Sequence, residues 1–144
     1  MREVYSDIEI KATPDRVWDV ATDFESFPDW NSFLRSAKGE LKAEGRLEIE
    51  VQTGAGKASK MQPTVLKSDR PSEFRWNVRQ AFGMFNREFA TLIQPSREER
   101  VRVIQRCMFT GMLVPFMGGA IEETKLGFDA MNEALRAKAE RTEN

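Results

Sequence analysis

The chain has 144 residues, the size of one domain, with 22 basic and 23 acidic side chains and a formal net charge of −1. That balance provides no field to gather nucleic acid or an anionic membrane surface. Histidine is absent and cysteine occurs once, which excludes the usual general base, the usual zinc ligand, any Ser–His or Cys–His nucleophile and any intramolecular disulfide.

The first segment, "REVYSDIEI", alternates Val4, Ser6, Ile8 and Ile10 against Glu3, Tyr5, Asp7 and Glu9, the period of a half-buried strand. Its charges and alternation are unlike a signal or transit peptide. Together with the single thiol they make the cytoplasm the expected compartment. "TPDRVWDVATDF" then carries helix-start chemistry: Thr13 as N-cap, Pro14 at the first helical position and Asp15 in the first turn. Val17, Ala21 and Phe24 form its short apolar stripe. Pro28 redirects the chain, and "ESFPDWN" reads as a tight turn with one extra helical turn.

From about residue 33 to 111 the period is two, giving about six strands joined by short turns in a mostly antiparallel sheet. "LEIEVQT" alternates Leu47, Ile49 and Val51 against charged residues, and "TGAGK" follows as a flexible turn or open loop. It has neither the glycine spacing nor the strand-to-helix context of a phosphate loop. "MQPTVL" contains Pro63, which calls for an edge or a bulge. "EFRWNV" puts Phe74, Trp76 and Val78 on one face. "FNREFATLIQP" does the same with Phe85, Phe89, Thr91 and Ile93, and "RVRVIQRCMFTG" with Val101, Val103, Gln105, Cys107 and Phe109. Arg97, Arg100, Arg102 and Arg106 are interleaved with Glu98 and Glu99, so they make no basic stripe.

After Gly118-Gly119 the period changes to that of a helix, with Ile121, Thr124, Phe128, Met131 and Leu135 in one stripe. Ala120, Gly127, Ala130 and Ala134 beside the stripe are small enough to allow a close approach. The intervening "RCMFTGMLVPFMGGA" is the most apolar stretch of the chain. It is too short, and too broken by Pro115 and the glycine pair, for the roughly 20 residues that a bilayer demands. It divides instead into the end of the last strand and the turn into the long helix. The order of elements makes the chain α+β, a curved sheet whose inner face the C-terminal helix covers.

"TPDRVWDVATDFESFPDWN", followed by "PTVL", "SEFRW", "FTGMLVPF" and "GFDAMNEALRAKAE", resembles the START-like (SRPBCC) superfamily, in its polyketide cyclase/dehydrase-type branch. The likeness runs from about Ile8 to Ala139. It implies a helix-grip fold: an antiparallel sheet of about seven strands wrapped around the C-terminal helix, two short helices after the first strand, and an apolar cavity between sheet and helix. It also implies that the inward histidine on the sixth strand and the polar pair on the last strand, found in several members, correspond here to Phe89, Gln105 and Cys107. Those replacements weaken the case for acid–base chemistry.

The candidate ligand-binding residues are Trp76, Phe89, Thr91, Gln105, Cys107 and Phe109 from the strands, with Phe116, Met117, Phe128 and Met131 from the closing turn and helix. Ligand cavities are mostly apolar with a few fixed polar groups, though the same side chains also suit an ordinary packed core. Gln105 is the best polar anchor, while Cys107 reads as a small packing residue. Arg75 and Arg79 belong to the solvent face. Arg87 shares the phase of Phe89, which puts it at a cavity rim where it would meet a carboxylate or phenolate. Asp19, Asp23, Glu25, Asp29, Glu122 and Glu123 read as caps and solvated faces, and Asn31 as a partner of backbone. Trp30 either covers the cavity mouth or packs under the sheet edge.

The expected function is binding of a small hydrophobic molecule, whether lipid, polyketide-like or isoprenoid. Two alternatives stand beside it: a cofactor-independent cyclase or dehydratase acting by confinement, and an interaction module resembling chaperone activators. Residues 1–144 are expected to form one ligand-binding domain with no metal, no cofactor, no nucleic-acid partner and no transmembrane segment. A homodimer is left open.

Overall fold

The computed structural model describes residues 2–52 and 58–141. The TGAGK segment expected to form a turn lies outside them. Strand β1 (Arg2–Ile10) leads into helix α1 (Pro14–Ala21), a 3₁₀ turn at Phe24–Ser26 and the single-turn helix α2 (Phe27–Trp30). Strands β2 (Leu34–Gly39), β3 (Leu47–Val51), β4 (Ser59–Met61), β5 (Thr64–Asp69), β6 (Glu73–Gln80), β7 (Phe85–Pro95) and β8 (Val101–Thr110) follow. A 3₁₀ turn at Ala81–Gly83 joins β6 to β7, and another at Val114–Phe116 delivers the chain to helix α3 (Gly118–Glu140).

The strands form a five-stranded antiparallel sheet in the order β1-β8-β7-β6-β5 and a three-stranded sheet in the order β2-β3-β4. Pro63 is why "MQPTVL" is two strands rather than one: without an N–H it cannot continue a ladder, and β4 ends before it. The sheets are stitched at this point. The Leu47 N–H donates to the Pro63 carbonyl at 3.0 Å, Glu44 N–H to the Val65 carbonyl at 2.8 Å, and Val65 N–H to the Gly45 carbonyl at 2.7 Å. The result is one curved wall with α3 in its grip, the helix-grip arrangement that the resemblance implies.

Alternation decides which side chains face inward. Val101, Val103, Gln105, Cys107 and Phe109 of β8 are buried, while Arg102 and Arg106 on the other face pair with Asp7 and Glu3 of β1. The Arg97 guanidinium reaches Glu9 at 2.8 Å. The arginines of this segment therefore form exposed cross-strand ion pairs, each worth at most about 1 kcal/mol.

Helix α1 starts as its sequence requires, with Thr13 Oγ1 accepting from the Arg16 N–H at 3.1 Å. The Arg16 guanidinium then donates to the Ala139 and Lys138 carbonyls at 3.3 and 3.2 Å, occupying free carbonyls at the end of α3. Ser6 of β1 donates to Asp129 Oδ1 at 2.6 Å and accepts from Asn132 Nδ2 at 3.1 Å, fixing the rotation of α3 over the sheet. Ile121, Thr124, Phe128, Met131 and Leu135 of α3 are all buried. Gly127 permits the closest approach: a Cβ there would lie 2.4 Å from Phe33 Cδ1.

Candidate functional site

Between α3 and the inner face of β6, β7 and β8 lies a cavity of about 30 Å³. That is room for about one water molecule. Phe74 and Trp76 of β6, Phe89 and Thr91 of β7 and Gln105 of β8 supply the sheet side of its lining. Phe128, Met131 and Leu135 supply the helix side, and Ala21, Phe27, Trp30, Asn31, Phe33 and Leu34 close the end under α1, α2 and β2.

Aromatic packing is what leaves so little space. Phe33 and Phe128 meet edge to face with centroids 5.2 Å apart, and Phe89 stands 6.2 Å from Phe128. Phe74 stacks on Trp76 at 5.2 Å, and Trp30 meets Phe27 edge to face at 5.6 Å. Trp30 therefore forms part of the cavity wall. Asn31 is a backbone partner: its Oδ1 accepts from the Phe33 and Leu34 N–H groups at 3.0 and 2.8 Å. This bond turns the chain from α2 into β2 and presents Phe33 to the helix.

The polar groups of the lining are few. Thr91 Oγ1 donates to Gln105 Oε1 at 2.6 Å, both side chains being buried. The indole N–H groups of Trp30 and Trp76 are buried with no hydrogen-bond partner among the described residues. An apolar chamber with unpartnered donors in its wall suits a hydrophobic guest carrying an acceptor oxygen.

Six of the ten residues singled out from sequence are thus brought together: Trp76, Phe89, Thr91, Gln105, Phe128 and Met131. The other four lie elsewhere. Cys107 is fully buried outside the lining, and burial drives its thiol far above the ordinary range despite the nearby Arg87. It stays protonated and is no nucleophile at neutral pH. Phe109 is fully buried in a stack on Phe85 at 5.6 Å. Met117 is partly buried against the core. Phe116 is 79% exposed, because the 3₁₀ turn at Val114–Phe116 buries Val114 and directs Phe116 outward. Phe82 and Met112 are exposed as well, and the Leu113 N–H donates to the Met84 carbonyl at 2.9 Å, joining their two loops.

Sequence reasoning missed the Phe27–Phe33 side of the chamber. The signal was present, since Phe24, Phe27, Trp30 and Phe33 recur every third residue, the spacing of 3₁₀ and short helical turns.

Arg87 occupies an unusual setting. It is the next inward-facing residue before Phe89 on β7 and is 9% exposed; its side chain makes no hydrogen bond or ion pair among the described residues, and it stands outside the chamber lining rather than at its rim. Its guanidinium carbon lies 4.9 Å from the Phe85 ring centre and 6.0 Å from that of Phe109. Burial pushes the guanidinium below its ordinary pKa. Arg75 and Arg79 face the other way, as their phase demands: Arg75 pairs with Glu73 and Glu88.

The chain has no histidine. Among the described residues no three carboxylate or thiol side chains converge as a metal site, and no helix is long and apolar enough to cross a membrane.

Comparison with solved structures places this architecture among many relatives at low identity. The Zhui aromatase/cyclase from Streptomyces sp. R1128 superposes with a TM-score of 0.75 at 16% identity, covering 97% of this chain and 94% of that one. A START superfamily protein from Mycobacterium smegmatis gives 0.72 at 16% identity, covering 96% and 97%. TTHA0849 from Thermus thermophilus gives 0.73 at 19% identity, with the same coverage of 96% and 97%. At such identities the likeness establishes the fold. Comparison with curated protein sequences finds no match. The family model described as "Polyketide cyclase / dehydrase and lipid transport" matches residues 1–140, and the chain, with its sheet gripping a C-terminal helix, belongs to that family.

Proposed function

We propose that this protein binds a small hydrophobic molecule, of lipid, polyketide-like or isoprenoid type, between the sheet and α3. The observation that carries this reading is the chamber itself: aromatic and aliphatic walls, with the Trp30 and Trp76 indole N–H groups buried and unpartnered in its lining. The chamber has a volume of about 30 Å³. Ligand cavities of drug-like size run from about 300 Å³ upward, so binding requires side chains to withdraw. The wall is suited to that. Met131 is unbranched and adapts its shape, and Phe27 and Trp30 belong to the single-turn helix α2 and Phe33 to the bend before β2 rather than to the sheet itself. Each methylene that leaves water contributes about 0.8 kcal/mol toward the opening.

Catalysis by confinement is the weaker reading. The family supports it, but the lining provides hydrogen-bond donors and no group that titrates near neutral pH. Docking of a partner protein has one observation in its favour, the exposed Phe82, Met112 and Phe116.

Fluorescence titration with the neutral probe N-phenyl-1-naphthylamine, beside native mass spectrometry of the purified protein, tests the proposal. Saturable one-to-one binding is expected, and a co-purified apolar ligand removable by solvent extraction would identify the natural guest. No saturable binding and no retained ligand would overturn it.

A further inference from the structure

Arg87 is a cation inside the protein without a counter-ion, and each potential counter-ion nearby is accounted for. Cys107 is held neutral by burial. Glu88 lies on the opposite face of β7 and is engaged by Arg75 at 3.5 Å. The residues paired with Arg87 across the sheet are Val78 and Phe109, both apolar and buried. The Phe85 ring covers one face of the guanidinium at 4.9 Å, a cation–π contact that compensates part of the lost hydration. It leaves Nε, which is buried, without a hydrogen-bond partner.

Burying an unpaired charge is costly, and proteins ordinarily pair such groups. A single guanidinium balances a single negative charge, and its planar fork matches the two oxygens of a carboxylate. Phe89, which lines the chamber, is the next inward side chain along β7, about 7 Å from Arg87 at the usual strand rise.

We propose that Arg87 is the anchor for a carboxylate, and that the hydrophobic guest of this protein is a monocarboxylic acid. Its apolar body occupies the chamber beside Phe89 and Phe128 while its carboxylate pairs with the Arg87 fork. This inference rests on the proposed binding of a hydrophobic molecule and names the chemical class of that molecule.

The test compares dodecanoate with dodecan-1-ol by isothermal titration calorimetry at pH 8, below the critical micelle concentration, for the wild type and Arg87→Met. The methionine keeps an unbranched side chain among Phe85, Phe109 and Val78 without the charge. Wild type should bind dodecanoate about tenfold or more tighter than the alcohol, and R87M should bind the two within about twofold of each other. Arg87→Lys should keep the preference in reduced form, retaining charge without the fork. If wild type and R87M both bind the two probes alike, the Arg87 assignment is overturned while hydrophobic binding stands. If wild type binds neither probe, the binding reading falls and takes this inference with it. Circular dichroism verifies the fold of R87M; should it not fold, Arg87→Gln serves instead, loss of the preference supporting the assignment and its retention overturning it.

Discussion

Thr91 and Gln105 face each other across the β7–β8 pair, and the threonine hydroxyl donates to the glutamine side-chain oxygen at 2.6 Å inside an otherwise apolar wall. With the amide oxygen engaged by Thr91, the NH₂ group is the end that would meet a guest under the proposed function.

Breaking this pair from one side should cost more than removing it altogether. Thr91→Val strands a buried carbonyl oxygen and is expected to lower stability by about 1–3 kcal/mol, whereas Thr91→Val with Gln105→Leu should lie within about 1 kcal/mol of wild type. Urea denaturation of the two single variants and the double variant measures the coupling. Additive losses would contradict it.

Gly127 governs how closely α3 lies on Phe33. Gly127→Ala places a methyl group 2.4 Å from Phe33 Cδ1, so the ring or the helix must shift. The expected loss is about 1–3 kcal/mol, partly recovered by adding Phe33→Leu. Gly118 and Gly119 have nothing within 4 Å of an added Cβ, and alanine should be tolerated at both in the same thermal unfolding assay.

Cys107 makes stability fall at alkaline pH. Its thiol keeps its proton in the folded protein because burial raises its pKa, whereas in the unfolded chain it ionises near pH 8.5. Above that pH the folded state binds the extra proton, so raising the pH favours unfolding. Stability from this group is complete below about pH 8.5 and declines by up to about 1.4 kcal/mol per pH unit above it. The difference between wild type and Cys107→Ala, measured from pH 7 to 10, should show this decline. A pH-independent difference would contradict it. The native thiol should likewise resist alkylation at pH 8 until the protein is unfolded.

The sheet and α3 were legible because their signals are long. Val4, Ser6 and Ile10 of β1 and every second residue from Val101 to Phe109 of β8 are buried in one phase, and α3 keeps one stripe along its 23 residues. Strand and helix phase placed six chamber residues inward, and the family resemblance supplied the expectation of a cavity among them. The α2–β2 side was not legible as a wall, because a four-residue helix after a 3₁₀ turn has too few residues to establish a period. Phe116 illustrates the same limit. A seven-residue connection between Thr110 and Gly118 carries no repeat to say which aromatic turns inward, and Val114 is buried there instead. At Arg87 the strand phase proved stronger than the residue's charge: the alternation that buries Phe85 and Phe89 also buries the guanidinium between them.

Methyl-labelled methionine NMR tests the central claim most directly, because Met131 lines the chamber while Met84 and Met112 lie on the exposed apolar end. Titration with dodecan-1-ol should shift the Met131 methyl resonance saturably and produce Overhauser contacts between that methyl and the ligand chain, with Met84 and Met112 unmoved. Shifts confined to Met84 and Met112, with Met131 unchanged at saturation, would place binding on the surface and contradict an interior site.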